Sequence, residues 1–208
     1  MTTALSFPEE LQLALDETNG RVRMGYWQLA TAAVLELALL ERFSVAALGR
    51  FSQPSGLKIT LVDATPTGHP PLDVVITAFS ARRNAEWGTY KSITGVAKSV
   101  TEATVSSLNT RGIATGHGKP GGPGSYLEIH DETARRAAAD HLRSRPADPL
   151  VSDLRVQVLM DIWRRSDVNW SPEPGLDRPR ISAEYPAGVR PIADAALDAL
   201  FTLNGTAI

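Results

Sequence analysis

The stretch LATAAVLELALLER, residues 29–42, has only two polar side chains, Thr31 and Glu36, between Leu29 and Leu40. Its content of Ala, Leu and Glu is typical of an α-helix. Because nearly every face of this helix is apolar, nearly every face must be covered, and we place it at the centre of the fold. It is too short to cross a bilayer, which takes about 20 apolar residues.

Glu36 is the one charged side chain within this apolar helix. An unpaired buried charge is strongly unfavourable, so the favoured interpretation is a structural carboxylate that pairs with a helix N-terminus or with an arginine. The alternative is a catalytic acid with a raised pKa, which would need partner groups that the sequence does not identify.

The composition is that of an ordinary soluble globular protein. The 208 residues are 43% hydrophobic and 21% charged, and no segment reaches transmembrane length. The N-terminus lacks the basic and apolar regions of a signal peptide, so we expect a cytoplasmic location, with membrane association on the cytoplasmic face left open. The absence of cysteine excludes disulfides and cysteine-based zinc sites. The excess of 17 Arg over 4 Lys suggests a GC-rich bacterial genome.

The net charge of −2 conceals a positive middle third. Residues 42–119 carry nine basic and four acidic side chains, whereas the segments on either side are acidic. A local excess of this kind favours an anionic partner, although charges spread over such a length equally suit a solvated surface. We expect no nucleic-acid partner.

Periodicity and turn signals predict a mainly α-helical single domain with short β-hairpins. A short helix begins at Phe7 with Ser6 as its N-cap, and the alternation of Leu11, Leu13 and Leu15 indicates a strand-like continuation. The other predicted helices are the central one at 29–40 and those at 72–84, 90–111, 131–143, 148–165 and 192–203. The predicted hairpins pair 43–48 with 57–62 and 112–116 with 125–130, and the proline-rich segment 171–191 is expected to be a surface loop.

No catalytic or metal-binding motif is found. The four histidines, at positions 69, 117, 130 and 141, lack the spacing of a metal site. The segment Gly116 to Lys119 fails as a phosphate-binding loop, because Ile113 takes the place of its first glycine and Pro120 that of the magnesium-binding hydroxyl. The residues therefore predict a protein that is not an enzyme and has no cofactor and no metal.

Several segments resemble one protein family. The clearest are FPEEL at 7–11, LALDETNGR at 13–21 and VLELAL at 34–39, followed by Arg42. Weaker matches follow in order at 108–113, 148–149 and 164–168. Together they resemble the Golgi phosphoprotein 3 family, in particular its bacterial members, over one domain at residues 5–203. The resemblance implies a central helix ringed by amphipathic helices, with short β-hairpins.

The resemblance also implies a peripheral membrane protein, since eukaryotic relatives bind phosphatidylinositol 4-phosphate and retain glycosyltransferases at the Golgi. Their headgroup pocket uses a Trp before the central helix, an Arg at its start and two Arg on a later helix. In this sequence no Trp aligns, because Trp27 falls inside the approach to the helix. Ala30 replaces the first Arg, Lys98 matches one later Arg and Thr101 replaces the other. The hairpin tip, apolar in the family, is rich in glycine and proline here and includes Lys119.

Two functions follow as hypotheses. In the first, the protein binds anionic phospholipid headgroups weakly, with Lys98 as a contact and Arg21, Arg23 and Lys91 as neighbours; alternatively these are solvated surface charges.

In the second, the protein is a soluble protein-binding adaptor without a lipid role. Its candidate anchors are Trp163, Trp170 and Tyr185, unless these simply pack in the core. We also predict that the tip at 117–124 is mobile and is not a membrane wedge. An enzyme is the least favoured class.

Overall fold

The computed structural model describes residues 4–15, 17–18, 21–46, 57–81, 87–120, 122, 124–143, 154–166 and 184–205. These ranges hold seven α-helices and seven short strands. The helices are α1 (Phe7–Ala14), α2 (Trp27–Leu39), α3 (Pro70–Ser80), α4 (Thr89–Thr110), α5 (Glu132–Arg143), α6 (Leu154–Ser166) and α7 (Arg190–Gly205). The strands are β1 (Glu17–Thr18), β2 (Arg21–Arg23), β3 (Phe43–Ala46), β4 (Lys58–Leu61), β5 (Trp87–Gly88), β6 (Ala114–His117) and β7 (Tyr126–Ile129).

The central position of α2 is confirmed. Every residue from Leu29 to Ala38 is buried, and α2 packs against α1, α3, α4, α6 and α7. The helix ends where Glu41 adopts a left-handed conformation, with φ of 57°, and the Arg42 amide donates to the carbonyl of Leu37. The apolar character of the stretch thus reflects burial on all sides.

A four-stranded antiparallel sheet, in the order β1-β2-β7-β6, lies beside the helices. Its β6–β7 hairpin was predicted, whereas β1 and β2 were not recognised as strands. The register aligns Val22, Leu127 and Gly116 in one row. A Cβ at Gly116 would lie 2.3 Å from a Val105 methyl carbon, so glycine is needed there for the sheet to approach α4.

A second, three-stranded antiparallel sheet has the order β3-β4-β5. It confirms the predicted hairpin, since Phe43 pairs with Leu61 and Val45 with Ile59. The segment that joins the two strands, residues 47–56, lies outside the described residues. The two-residue strand β5 was not predicted, and it extends this sheet just before α4 begins.

Helix α1 continues to Ala14, so the strand-like continuation predicted after its first turn is wrong. The alternating leucines have another cause, because α1 lies between two apolar clusters. Leu11 packs in the main core around α2, and Leu13 packs in a second core formed with the four-stranded sheet. Two buried faces on one short helix produce an alternation that resembles the period of a strand.

The remaining helices lie close to their predicted positions. Asp131 caps α5 by accepting from the Ala134 amide at 2.9 Å, and α4 ends before Gly112, whose φ is 70°. The predicted start of α6 at 148–149 lies outside the described residues, which resume at Leu154. In the described ranges no helix is long and apolar enough to span a membrane.

Candidate functional site

Glu9, in the first turn of α1, joins that helix to the C-terminal end of α4. Its Oε2 accepts from both the amide and the hydroxyl of Ser6, each at 2.7 Å. Its Oε1 accepts from the Ser107 hydroxyl at 2.6 Å and from Arg111 Nη1 at 3.4 Å. The pairing of a capping serine with a glutamate three residues later is the capping box, and here the glutamate also binds a second helix.

Glu10, the next residue, joins α1 to α5 and α6. Its Oε1 is in hydrogen-bond contact with His141 Nδ1 of α5, and its Oε2 accepts from Arg155 Nε of α6 at 2.6 Å. Arg155 Nη2 also donates to the Leu5 carbonyl at 2.5 Å, and the guanidinium carbon lies 4.4 Å from the centre of the Phe7 ring. One arginine therefore fastens α6 to the start of α1.

Glu36 pairs with both kinds of partner that the sequence analysis favoured, which confirms its structural interpretation. Its Oε2 accepts from the Phe7 amide at the N-terminus of α1, at 2.6 Å. Its Oε1 lies 3.6 Å from Arg155 Nη1. The central helix is thus tied to α1 and α6 by its one carboxylate, although the particular arginine was not identifiable from local spacing.

Burial raises the pKa of Glu36 from 4.5 to about 7. The Phe7 amide and the Arg155 guanidinium oppose this rise by stabilising the charged carboxylate, whereas the nearby Glu9 and Glu10 carboxylates reinforce it. Glu36 therefore exchanges a proton near neutral pH. A raised pKa also fits the alternative of a catalytic acid, but the groups around Glu36 are hydrogen-bonding and ionic partners that serve the fold.

These side chains form one cluster, which we call the carboxylate junction: Glu9, Glu10, Glu36, Arg111, His141 and Arg155. An open cavity of about 760 Å³ lies beside it. The cavity is lined by Ala4, Leu5, Glu10, Ala134, Ala137, Ala138, Asp140, His141 and Arg155. Solvent consequently reaches the outer part of the junction at His141, whose side chain is 37% exposed. Sequence analysis did not single out this cluster, because its members come from four helices and, at Arg111, from the residue that follows α4.

The four cationic residues predicted as headgroup contacts fall into two pairs. Lys91 and Lys98 are exposed on α4, two turns apart and therefore on one side of the helix. Arg21 and Arg23 are exposed on β2, on either side of the buried Val22. The two lysines therefore lie on one side of α4, and the two arginines lie on one face of β2. Lys98 Nζ lies 3.8 Å from Glu102 Oε1 on the next helical turn, so its charge is partly compensated.

Arg21 is engaged on the outer face of the four-stranded sheet. Its guanidinium carbon lies 4.5 Å from the centre of the Tyr126 ring, a cation–π contact. His117 stacks on the same tyrosine with ring centres 4.8 Å apart, and its Nε2 lies 2.9 Å from Glu128 Oε2. Arg21 thus lies in a mixed aromatic and ionic group, whereas Arg23 is exposed on the same face.

The two positions where the resemblance implies arginines, one at the start of α2 and one in the middle of α4, are both buried. Ala30 and Thr101 are both 0% exposed. The Thr101 hydroxyl lies 2.8 Å from the Ala97 carbonyl oxygen and 3.4 Å from the Gly25 carbonyl oxygen. Neither side chain offers a charged donor at the surface.

The candidate adaptor anchors differ in how far they are exposed to solvent. Trp163 on α6 is 38% exposed, as an anchor requires, whereas Tyr185 is 7% exposed and packs in the main core. Burial, and after it the Asp161 carboxylate, raises the pKa of the Tyr185 hydroxyl above its usual range. The anchor role of Tyr185 is therefore wrong, and Trp170 lies outside the described residues.

Groups of metal-binding residues are absent from the described ranges: no three His, Asp or Glu side chains lie close enough together to hold an ion.

The structure defines a mainly α-helical domain with a buried central helix and two small antiparallel sheets. Its N-terminal helix α1 carries the FPEEL segment. The profile of the Golgi phosphoprotein 3 (GPP34) family matches residues 8–201. The chain belongs to the Golgi phosphoprotein 3 family. No individual curated protein matches it significantly.

Proposed function

We propose that this member of the Golgi phosphoprotein 3 family is a non-catalytic peripheral membrane protein, and that residues 5–203 form its single domain. It binds anionic phospholipid weakly, on the cytoplasmic face of a membrane, and does not select phosphatidylinositol 4-phosphate. The observation that carries the proposal concerns three positions that the resemblance assigns to the headgroup pocket. Ala30 and Thr101 are buried and uncharged, and only Lys98 is cationic.

The chemistry of phosphate recognition supports weak rather than selective binding. A phosphate monoester is held best by several donors, preferably from bidentate arginine, whereas a lysine supplies a single point charge. Each lost charge-assisted hydrogen bond would weaken binding by about 1.5–3 kcal/mol. A phosphate group must also compete with Glu102 for the Lys98 ammonium group. The remaining cations, Lys91, Arg21 and Arg23, contribute a diffuse attraction of about 1 kcal/mol each near an anionic surface.

The test is co-sedimentation with vesicles that contain phosphatidylserine, compared with vesicles in which part of that lipid is replaced by phosphatidylinositol 4-phosphate at equal total charge. We expect equal, weak binding to both, which fades as the salt concentration rises past about 0.1 M. Lys98→Glu should reduce binding about five- to thirtyfold, since it removes one attraction and adds a repulsion.

Arg190→Glu is the matched control. Arg190 forms a similar exposed pair with Asp194, but this pair lies on α7 and not on α4. It should leave binding within about twofold of the original. Tight and salt-resistant selection of the 4-phosphate headgroup would contradict the proposal, and would mean that other arginines complete the pocket.

The second candidate, a soluble protein-binding adaptor without a lipid role, is favoured by one observation. Trp163 on α6 and Phe201 on α7 are large apolar side chains that are 38% and 45% exposed, although these two helices pack against each other. Exposed aromatic side chains are common anchors in protein interfaces. An absence of sedimentation with every anionic vesicle, at low salt, would favour this candidate.

A further inference from the structure

The inner face of the four-stranded sheet rests on α4 at Val105. A Cβ at Gly116 of β6 would lie 2.3 Å from a Val105 methyl carbon, and Gly116 shares its row with the buried Val22 and Leu127. The Val105 side chain therefore leaves α4 in the direction in which the sheet lies. Side chains on the outer face of the sheet point further along that direction, away from α4.

Two lysines leave α4 on the same side as Val105. Lys98 precedes Val105 by seven residues and Lys91 precedes it by fourteen. At about 100° per residue, their side chains deviate from the direction of Val105 by only about 20° and 40°. Both lysines are exposed. The sheet thus covers this side of α4 at Val105 and leaves it open at Lys98 and Lys91.

Arg21 and Arg23 point to that side of the molecule as well. They are exposed in β2, on either side of the buried Val22. Because successive side chains of a strand point to opposite faces and Val22 points inward, both arginines lie on the outer face. In the described part of the chain neither arginine has a carboxylate within ion-pair distance, and Arg21 contacts the Tyr126 ring instead. The two pairs of cations, although they belong to different elements, therefore share one side of the molecule.

We propose that this side, which we call the cationic side, is the surface that lies against an anionic phospholipid membrane. It comprises the outer face of the four-stranded sheet and the exposed stripe of α4, with Arg21, Arg23, Lys91 and Lys98 as contacts to lipid phosphate groups. The inference rests on the proposed function and adds an orientation to it, since the sheet and α4 meet the membrane at the same time.

The distribution of charge on the cationic side fits a broad anionic partner. Its four cations outnumber the two carboxylates of the same strands and stripe, Glu102 and Glu128, although the whole chain has a net charge of −2. The cations are spread over two turns of α4 and along β2, so they suit a surface of many headgroups. Tyr126, which is partly exposed between them, has the amphipathic side chain that is common at membrane–water interfaces.

The first test asks whether the sheet and α4 contact the membrane together. In co-sedimentation at low salt with vesicles of phosphatidylcholine and phosphatidylserine, Arg23→Gln and Lys98→Gln should each weaken binding about three- to fivefold, and the double variant about 10- to 25-fold. If the two elements were alternative contact surfaces, the loss of one would leave the other, and each single substitution would weaken binding by no more than about twofold. Arg190→Gln on α7 is the matched control and should leave binding within about twofold.

A fluorescent label locates the surface directly, because the chain has no cysteine of its own. Thr115→Cys places one thiol on the outer face of the sheet, in the same row as Arg21. Thr202→Cys places one at an exposed position of α7, which serves as the control. With the environment-sensitive fluorophore NBD on each thiol, we expect a blue shift and a rise in intensity on addition of the same vesicles at position 115, and neither at position 202.

The two experiments distinguish a failure of this inference from a failure of the proposed function. An unchanged label at position 115, an equal response at both positions, or single losses of no more than about twofold, in a chain that does sediment with vesicles, would overturn the orientation and leave weak lipid binding in place. Absence of sedimentation of the unaltered chain at low salt would overturn both.

Discussion

At the scale of single residues, the charge of Lys98 is partly compensated by its neighbour Glu102. Both members of the Lys98–Glu102 pair are at least half exposed, and they lie one turn apart on α4. Such exposed pairs add little stability, but the carboxylate reduces the field that an anionic surface would meet. The position at which the resemblance implies a headgroup contact therefore carries a partly compensated cation in this protein.

Glu102→Gln should strengthen binding to anionic vesicles, because it leaves the Lys98 charge without compensation. The expected gain is about three- to fivefold at low salt, with little change in thermal stability. Asp194→Gln, in the equivalent surface pair on α7, serves as the control and should have a smaller effect. Co-sedimentation at several salt concentrations measures both, and no gain from Glu102→Gln would argue against α4 as the membrane-facing helix.

Arg155 is the residue whose loss should most disturb the carboxylate junction. Arg155→Met keeps much of the side chain's length but leaves Glu10 and Glu36 without their shared cation. Removing one partner of a buried ion pair is destabilising by about 3–5 kcal/mol, and partial solvent exposure of Arg155 places the expected loss near 3 kcal/mol. Urea unfolding at neutral pH measures it. Arg190→Met should lose less than about 1 kcal/mol, and similar losses in both variants would contradict this role for Arg155.

At the scale of elements, the sequence predicted helices well and short strands poorly. The helix α2 was predictable because its apolar run has no other plausible structure, and α4 because its apolar stripe recurs along the whole helix. Strand β2 has only three residues, and its pairing with Leu127 of β7 depends on a partner far along the chain. The Glu36–Arg155 pair escaped prediction for the same reason, since no local pattern specifies a contact between distant helices.

The β6–β7 hairpin offers a test at the element scale. Replacing residues 118–125 by Asn-Gly would join His117 to Tyr126, which already pair in the sheet, through a two-residue turn. We expect the helical content and melting temperature to change little, because the sheet is held by Leu127 and Val22 in the second core. Vesicle binding should also persist. A large loss of binding with an intact fold would show that the tip acts at the membrane.

At the scale of the whole molecule, α1 is shared between two cores. Leu11 lies in the main helical core and Leu13 in the core beneath the four-stranded sheet, while Glu9 and Glu10 bind α4, α5 and α6. The sequence indicated this helix by its cap and its family motif, but not its double burial. That arrangement emerges only when the sheet and the helices are assembled around it.

The shared helix has a consequence for synthesis of the protein on the ribosome. Glu10 and its partner Arg155 are 145 residues apart. At about 5–20 residues per second, roughly 7 to 30 s separate their translation. During that interval α1 carries acidic side chains whose cations have not yet been made. Native assembly of α1 is therefore a late event, because it cannot be completed before α6 has been translated.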